Sequence, residues 1–200
     1  APMILSRRLS TVLAGLAMGL AVAPAIPALA QQGPVIAVAA SARPAMDDLV
    51  AAFRAETGRI ITPVYGSSGN FTRQIRQGAP FQLFLSADEG FVFQLADAGL
   101  TEDRGAIYAE GRLVLFVPRG SPLKADAGLA DLRAALADGR LTRFAIASPD
   151  HAPYGRAAEQ ALKSRGLWDA IQPRLVIGEN ISQAAQFVET GSADVGCLAL

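Results

Sequence analysis

Strand-like and helix-like segments alternate along this chain from residue 35 to residue 200, and that alternation restricts the fold more than any other feature. Val35–Ala40 reads as a short apolar strand, Pro44–Glu56 as a helix with an apolar face at Ala45, Leu49, Ala52 and Phe53, and Ile60–Tyr65 as a β-branched strand. A short helix over Asn70–Arg76, a strand over Phe81–Leu85 and a helix over Glu89–Ala98 follow. The pattern then repeats. Strands are expected at Arg112–Val117, Arg143–Ala147, Arg174–Ile177 and Val195–Leu200, with helices at Leu129–Ala137, Gly155–Arg165 and Ile181–Glu189 between them. Such alternation implies parallel sheets with crossover helices. Two runs joined near Tyr108–Arg112 imply two α/β lobes, the first over residues 31–110 and the second over 111–200.

The first thirty residues do not belong to that pattern. Arg7 and Arg8 form a basic start, Leu9 to Val22 is an apolar stretch, and Pro24 and Pro27 precede the small-x-small run Ala28-Leu29-Ala30. This is the layout of a cleavable export signal, and the apolar stretch is shorter than a membrane span needs. Residues 1–30 are therefore expected to be a signal peptide; Arg7-Arg8 could suggest twin-arginine export, but Leu9-Ser10-Thr11 fit that signal poorly and favour general secretion. The rest is globular by composition, since 51% of the chain is hydrophobic and 18% charged. Bases and acids are equal at 18 each, so no basic excess points to nucleic acid. A single cysteine, Cys197, excludes an intrachain disulfide and reads as a small buried residue.

Four strand-to-helix junctions share a chemical character. They are Ala39-Ala40-Ser41-Ala42-Arg43-Pro44, Tyr65-Gly66-Ser67-Ser68-Gly69-Asn70, Ser148 to Gly155, and Gly178-Glu179-Asn180-Ile181-Ser182. Ligands of α/β sheets bind where strands end and helices begin. A helix start offers unpaired N–H groups and a positive dipole end, which favour an anion. One Ser or Asn at a helix start is an ordinary cap. Two such junctions in each half, facing one cleft, are what make an anion site.

The series Val38-Ala39-Ala40-Ser41 with Ala45-Met46, Gly66-Ser67-Ser68-Gly69 with Arg73-Gln74-Ile75, and Gly78-Ala79-Pro80 with Leu85-Ser86-Ala87-Asp88 resembles the periplasmic molybdate-binding proteins of ABC transporters. Pro149 with Pro153-Tyr154-Gly155, Glu179-Asn180-Ile181 and Ala193-Asp194-Val195-Gly196 continue the likeness in order and spacing, so that it covers essentially everything after residue 34. The resemblance implies a two-lobed, type II periplasmic-binding-protein fold with a ligand cleft between the lobes. It implies an exported, periplasmic protein that captures molybdate, and tungstate with it, for import through the permease subunits of an ABC transporter. It also implies a monomer with no cofactor and no catalytic residue. Carried over by motif position, the oxyanion is held by the hydroxyl and N–H of Ser41 and of Ser68, and by the N–H groups of Tyr154 and Ile181. A tyrosine donor that some members carry after the Gly196 strand falls at Ala199 here, so that donor is absent. The family commonly has Asp at the position of Gln82. Its members also continue past the Gly196 strand back into the first lobe, so a return segment beyond Leu200 is expected to be missing and apolar surface of the first lobe to be exposed.

Other chemistries fit less well. A hydrolytic triad would have to use His151, the only histidine, whose adjacent Asp150 is badly placed as an orienting group, and no G-x-S-x-G elbow occurs. His151 is read instead as a loop or rim residue. One His and one Cys cannot build a zinc shell, and no G-x-x-x-x-G-K-[ST] phosphate loop is present. A ligand-sensing domain of a transcription regulator would share the two-lobed fold but not the export signal. Among oxyanions, phosphate keeps a proton at neutral pH and wants an acceptor. The four proposed donors include no carboxylate, which favours molybdate, tungstate or sulfate, although Glu179 lies close by in sequence. Arg43 and Arg73 are assigned to surface pairing or long-range attraction.

Overall fold

The computed structural model of the chain describes residues 33–200. The expected signal peptide, residues 1–30, lies outside the described residues. The first half is built on a three-stranded sheet of β1 (Val35–Ala39), β2 (Thr62–Gly66) and β3 (Leu83–Leu85), ordered β2-β1-β3 and parallel throughout. Strand β1 lies in the middle, and four of its five residues are buried, as its apolar run requires of a strand covered on both faces. The crossover helices are α1 (Arg43–Thr57), α2 (Ser68–Arg76) and α3 (Glu89–Asp97). Arg43 and Pro44 open α1, and Gly58 closes it. The carboxylate of Asp88 caps α3 by accepting the N–H of Gly90 at 2.7 Å.

The second half holds β4 (Leu113–Phe116), β5 (Phe144–Ala147), β6 (Leu175–Gly178) and β7 (Val195–Ala199), ordered β4-β7-β5-β6. Its helices are α4 (Ala130–Asp138), α5 (Pro153–Ser164), α6 (Trp168–Ile171) and α7 (Ile181–Glu189). Strand β5 is buried at all four positions. Phe144, Ile146, Leu132, Leu141, Leu162, Ile171 and Val195 form the main core of the molecule. Cys197 is buried in the same core, and burial pushes its thiol up to about 12.

Three departures from the expected pattern have physical reasons. Strand β4 pairs antiparallel with β7, so the second sheet is mixed rather than parallel. A crossover helix fixes direction between consecutive strands that lie side by side. β4 and β7 are first and last of this half, so no crossover constrains the pair. Helices α2 and α5 begin at Ser68 and Pro153, two residues earlier than their periodicity indicates, which places Ser68 and Tyr154 inside the first helical turns. The four-residue helix α6 and the 3₁₀ turn Gln172–Arg174 are too short to show a helical period.

Gln82 acquires a structural role. Its side-chain oxygen accepts the N–H of Val35 at 2.7 Å, and its own N–H donates to the Val35 carbonyl at 3.0 Å. It thereby pins the lead-in of β3 to the start of β1. The first half packs a smaller core, with Ile36, Val38 and Met46 at its centre, and Leu49, Ile60, Val64 and Leu83 are exposed on it. Among the described residues, no helix is long and apolar enough to cross a membrane.

Candidate functional site

Helix starts from both halves converge on one small pocket. Residues 39–41 run from the end of β1, residues 66–68 run from the end of β2, residues 152–154 open α5, and residues 180–181 open α7; all of them line it, together with Ala87. The four residues singled out in the sequence, Ser41, Ser68, Tyr154 and Ile181, are thus brought together. The free space in the pocket is about 10 Å³, far below the ~300–1,000 Å³ of typical organic-ligand sites. That leaves no room for a drug-sized organic ligand.

The residues that line this space lie at helix starts whose side-chain caps are missing or engaged elsewhere. The first N–H groups of a helix have no intrahelical partner. At α2 the N-cap residue is Ser67, and its side chain makes no capping bond. At α5 the N-cap is Ala152, which has no side chain able to cap, and Pro153 has no N–H, so Tyr154 carries the first N–H of that helix. At α7 the Asn180 side chain accepts from Gln183, leaving the N–H of Ile181 uncapped. Ser41 sits in a 3₁₀ turn, Ala40–Ala42, that leads into α1 and also lacks a side-chain cap. Three positive dipole ends and this turn share one pocket, which is the electrostatic setting of an anion site.

The serine hydroxyls have definite surroundings. Ser68 is fully buried, and its Oγ accepts the N–H of Ala87 at 3.0 Å. A hydroxyl that accepts one bond still has its proton to donate, and among the described residues none accepts it. Ser68 is the first residue of its helix and not its cap. Ser41 is half-buried, with its side chain near the phenol of Tyr154. Burial raises the Tyr154 pKa and the Ser41 side chain acts the other way, so the phenol is neutral. The Tyr154 ring lies against Gly111, where a Cβ would overlap the phenol oxygen, so a larger residue there would displace the phenol.

Among the described residues, no Asp, Glu, Lys, Arg or His lines the pocket. Glu179, the nearby carboxylate in sequence, is exposed and already engaged. Its Oε1 accepts from Ser67 Oγ at 3.2 Å and from the Asn70 amide, and its Oε2 accepts from the Asn180 amide at 2.5 Å. Arg43 lies over the Tyr65 ring at 4.1 Å, and Arg73 donates to Asn70. Among the described residues, no cluster of three or more His, Cys, Asp or Glu side chains could hold a metal ion.

The sequence did not reveal what His151 touches. Its Nδ1 is 2.9 Å from Ser67 Oγ, and its carbonyl accepts the N–H of Gly69 at 2.9 Å. His151 is therefore a rim residue, joined to the opposite half. The Ser67–His151 pair does not make a hydrolytic triad, because the third group, Glu179, binds the serine and not the imidazole.

Two α/β halves whose helix starts enclose a small neutral cleft define the type II solute-binding fold. The description bacterial extracellular solute-binding protein belongs to the family model that matches residues 34–200, and this chain is a member of that family. It is 39% identical to the molybdate-binding protein ModA of Rhodobacter capsulatus, over 92% of this chain and 70% of the relative. It is 32% identical to the molybdate-binding protein ModA of Escherichia coli, over 96% of this chain and 74% of the relative. Among solved structures it is similar to the periplasmic molybdate-binding protein of Azotobacter vinelandii, with a TM-score of 0.68 and 30% identity over 83% of this chain and 71% of that one.

Proposed function

We propose that this chain captures molybdate outside the cytoplasm, tungstate with it, and delivers it to the permease of an ABC transporter. Ser41 and Ser68 each donate a hydroxyl and an N–H, while Tyr154 and Ile181 each donate an N–H. The chain then acts as a monomeric carrier with no chemistry of its own, exported by a signal within residues 1–30. The observation that carries the reading is the pocket lining: helix-start donors from both halves and no carboxylate to accept a ligand's proton. The names of the relatives at 32–39% identity support molybdate as the oxyanion.

The magnitudes agree. Six bonds to a dianion at about 1.5–3 kcal/mol each give a gross of about 9–18 kcal/mol. Several kcal/mol go to the lost freedom of association. A net of about 8–12 kcal/mol corresponds to micromolar to nanomolar binding. A thermal-shift panel of molybdate, tungstate, sulfate, phosphate and an amino acid tests the reading. Stabilisation by molybdate and tungstate is expected. Stabilisation by sulfate alone would move the assignment to a sulfate carrier, and by the amino acid alone would end the oxyanion reading.

A further inference from the structure

Beside the pocket, the two halves touch through groups that are not among the proposed oxyanion donors. Gly69, in the first turn of α2, is buried, and its N–H donates to the carbonyl of His151 in the loop after β5. A Cβ on Gly69 would stand 2.6 Å from that carbonyl oxygen and 2.9 Å from the His151 Cα. Backbone meets backbone there, and neither side can yield without moving its half. Around this point Ser67 Oγ bridges His151 Nδ1 and Glu179 Oε1, and the Asn70 amide reaches the same carboxylate oxygen.

These residues adjoin the proposed donors along the chain. Gly69 follows Ser68, His151 precedes Tyr154 by three positions, and Glu179 precedes Ile181 by two. A displacement at the contact therefore carries donors of both halves apart. We infer that the Gly69–His151 contact, braced by Ser67, Asn70 and Glu179, is a closure latch that sets how long the ligand is held. Its role in ligand release rests on the oxyanion reading above. Approach of the ligand needs the halves apart and so does not use the latch, whereas release requires breaking it. Weakening the latch thus acts on dissociation more than on association.

The test uses Gly69→Ala, which wedges the contact, and Glu179→Ala, which removes the acceptor shared by Ser67 and Asn70. Each is loaded with radiolabelled molybdate and chased with excess unlabelled molybdate. Release is expected to quicken about tenfold or more for Gly69→Ala, and about fivefold for Glu179→Ala as one modest bridge is lost, with association rates within about threefold of wild type. Glu159→Gln, which touches only the remote ion pair with Lys163, should release as wild type does. If Gly69→Ala does not fold, Glu179→Ala, exposed and outside the core, carries the test. Release rates equal to wild type in the folded variants overturn the latch and leave the binding function standing. If the wild type holds no molybdate, the functional reading fails instead. Small-angle scattering then judges the latch as an inter-half contact: a larger radius of gyration for either variant supports it, and identical values overturn it.

Discussion

Replacing Ser68 by alanine separates binding from folding in a way the structure makes quantitative. The Ser68 hydroxyl accepts the Ala87 N–H at 3.0 Å, and in the proposed site it also donates its own proton to the anion. Losing a donor to a charged ligand costs about 1.5–3 kcal/mol, or roughly 10- to 150-fold in Kd. Binding is not abolished, because the Ser68 backbone N–H and the other donors remain. The acceptor role concerns the unliganded protein. The Ala87 N–H loses its partner beside a fully buried site, at about 1–3 kcal/mol. For a chain of this length that lowers Tm by about 2–12 °C. The alternative view, that Ser68 only supports the fold, predicts the same fall in Tm with no change in affinity. Isothermal titration with molybdate, paired with a thermal melt without ligand, distinguishes the two. An unchanged Kd beside a lowered Tm would refute the donor role of Ser68.

Ser41→Ala should give the complementary result, since Ser41 is half-buried and supports no backbone N–H of the fold. Titration is expected to show affinity falling about 5- to 150-fold with little change in Tm. Ser41→Asp should bind far worse than Ser41→Ala in the same assay, because it places a negative charge beside the anion. Asp194→Ala should lower stability by about 1–2 kcal/mol in urea melts at neutral pH, a figure discounted for partial exposure. Burial opposes the Asp194 charge, but the N–H groups of Arg143 and Thr142 and the Thr142 hydroxyl outweigh it and hold the carboxyl below its ordinary value. Its contribution is therefore fully present above the unfolded carboxylate pKa of about 3.9 and lost as pH falls through the lower folded value. Acid melts of wild type and Asp194→Ala should converge below that point.

Particular residues show what the sequence could and could not reveal. The strands were legible because Val35–Ala39 and Phe144–Ala147 are apolar runs short enough to exclude helices. The meeting of Ser41, Ser68, Tyr154 and Ile181 in one pocket was legible because each lies at a strand-to-helix junction in a matching motif. The direction of β4 was not, since periodicity carries no information about which neighbour a strand takes. Nor was the rim. Ser67 lies 84 residues from His151 and 112 from Glu179, and no local pattern encodes such a meeting. The only available sign was a second serine beside Ser68, left without a cap role. Gln82 shows the same limit, because its bond to Val35 spans 47 residues.

A pocket lined without carboxylates favours a fully deprotonated dianion over an anion that keeps a proton. The affinity of the wild-type chain for molybdate against phosphate, at one pH and ionic strength, tests this. A proton on phosphate meets no carboxylate in this lining, and an unpaired donor costs about 1–3 kcal/mol, or roughly 5- to 150-fold. Molybdate is expected to bind at micromolar affinity or tighter, with phosphate weaker by at least about that margin. Phosphate binding as tight as molybdate would contradict it.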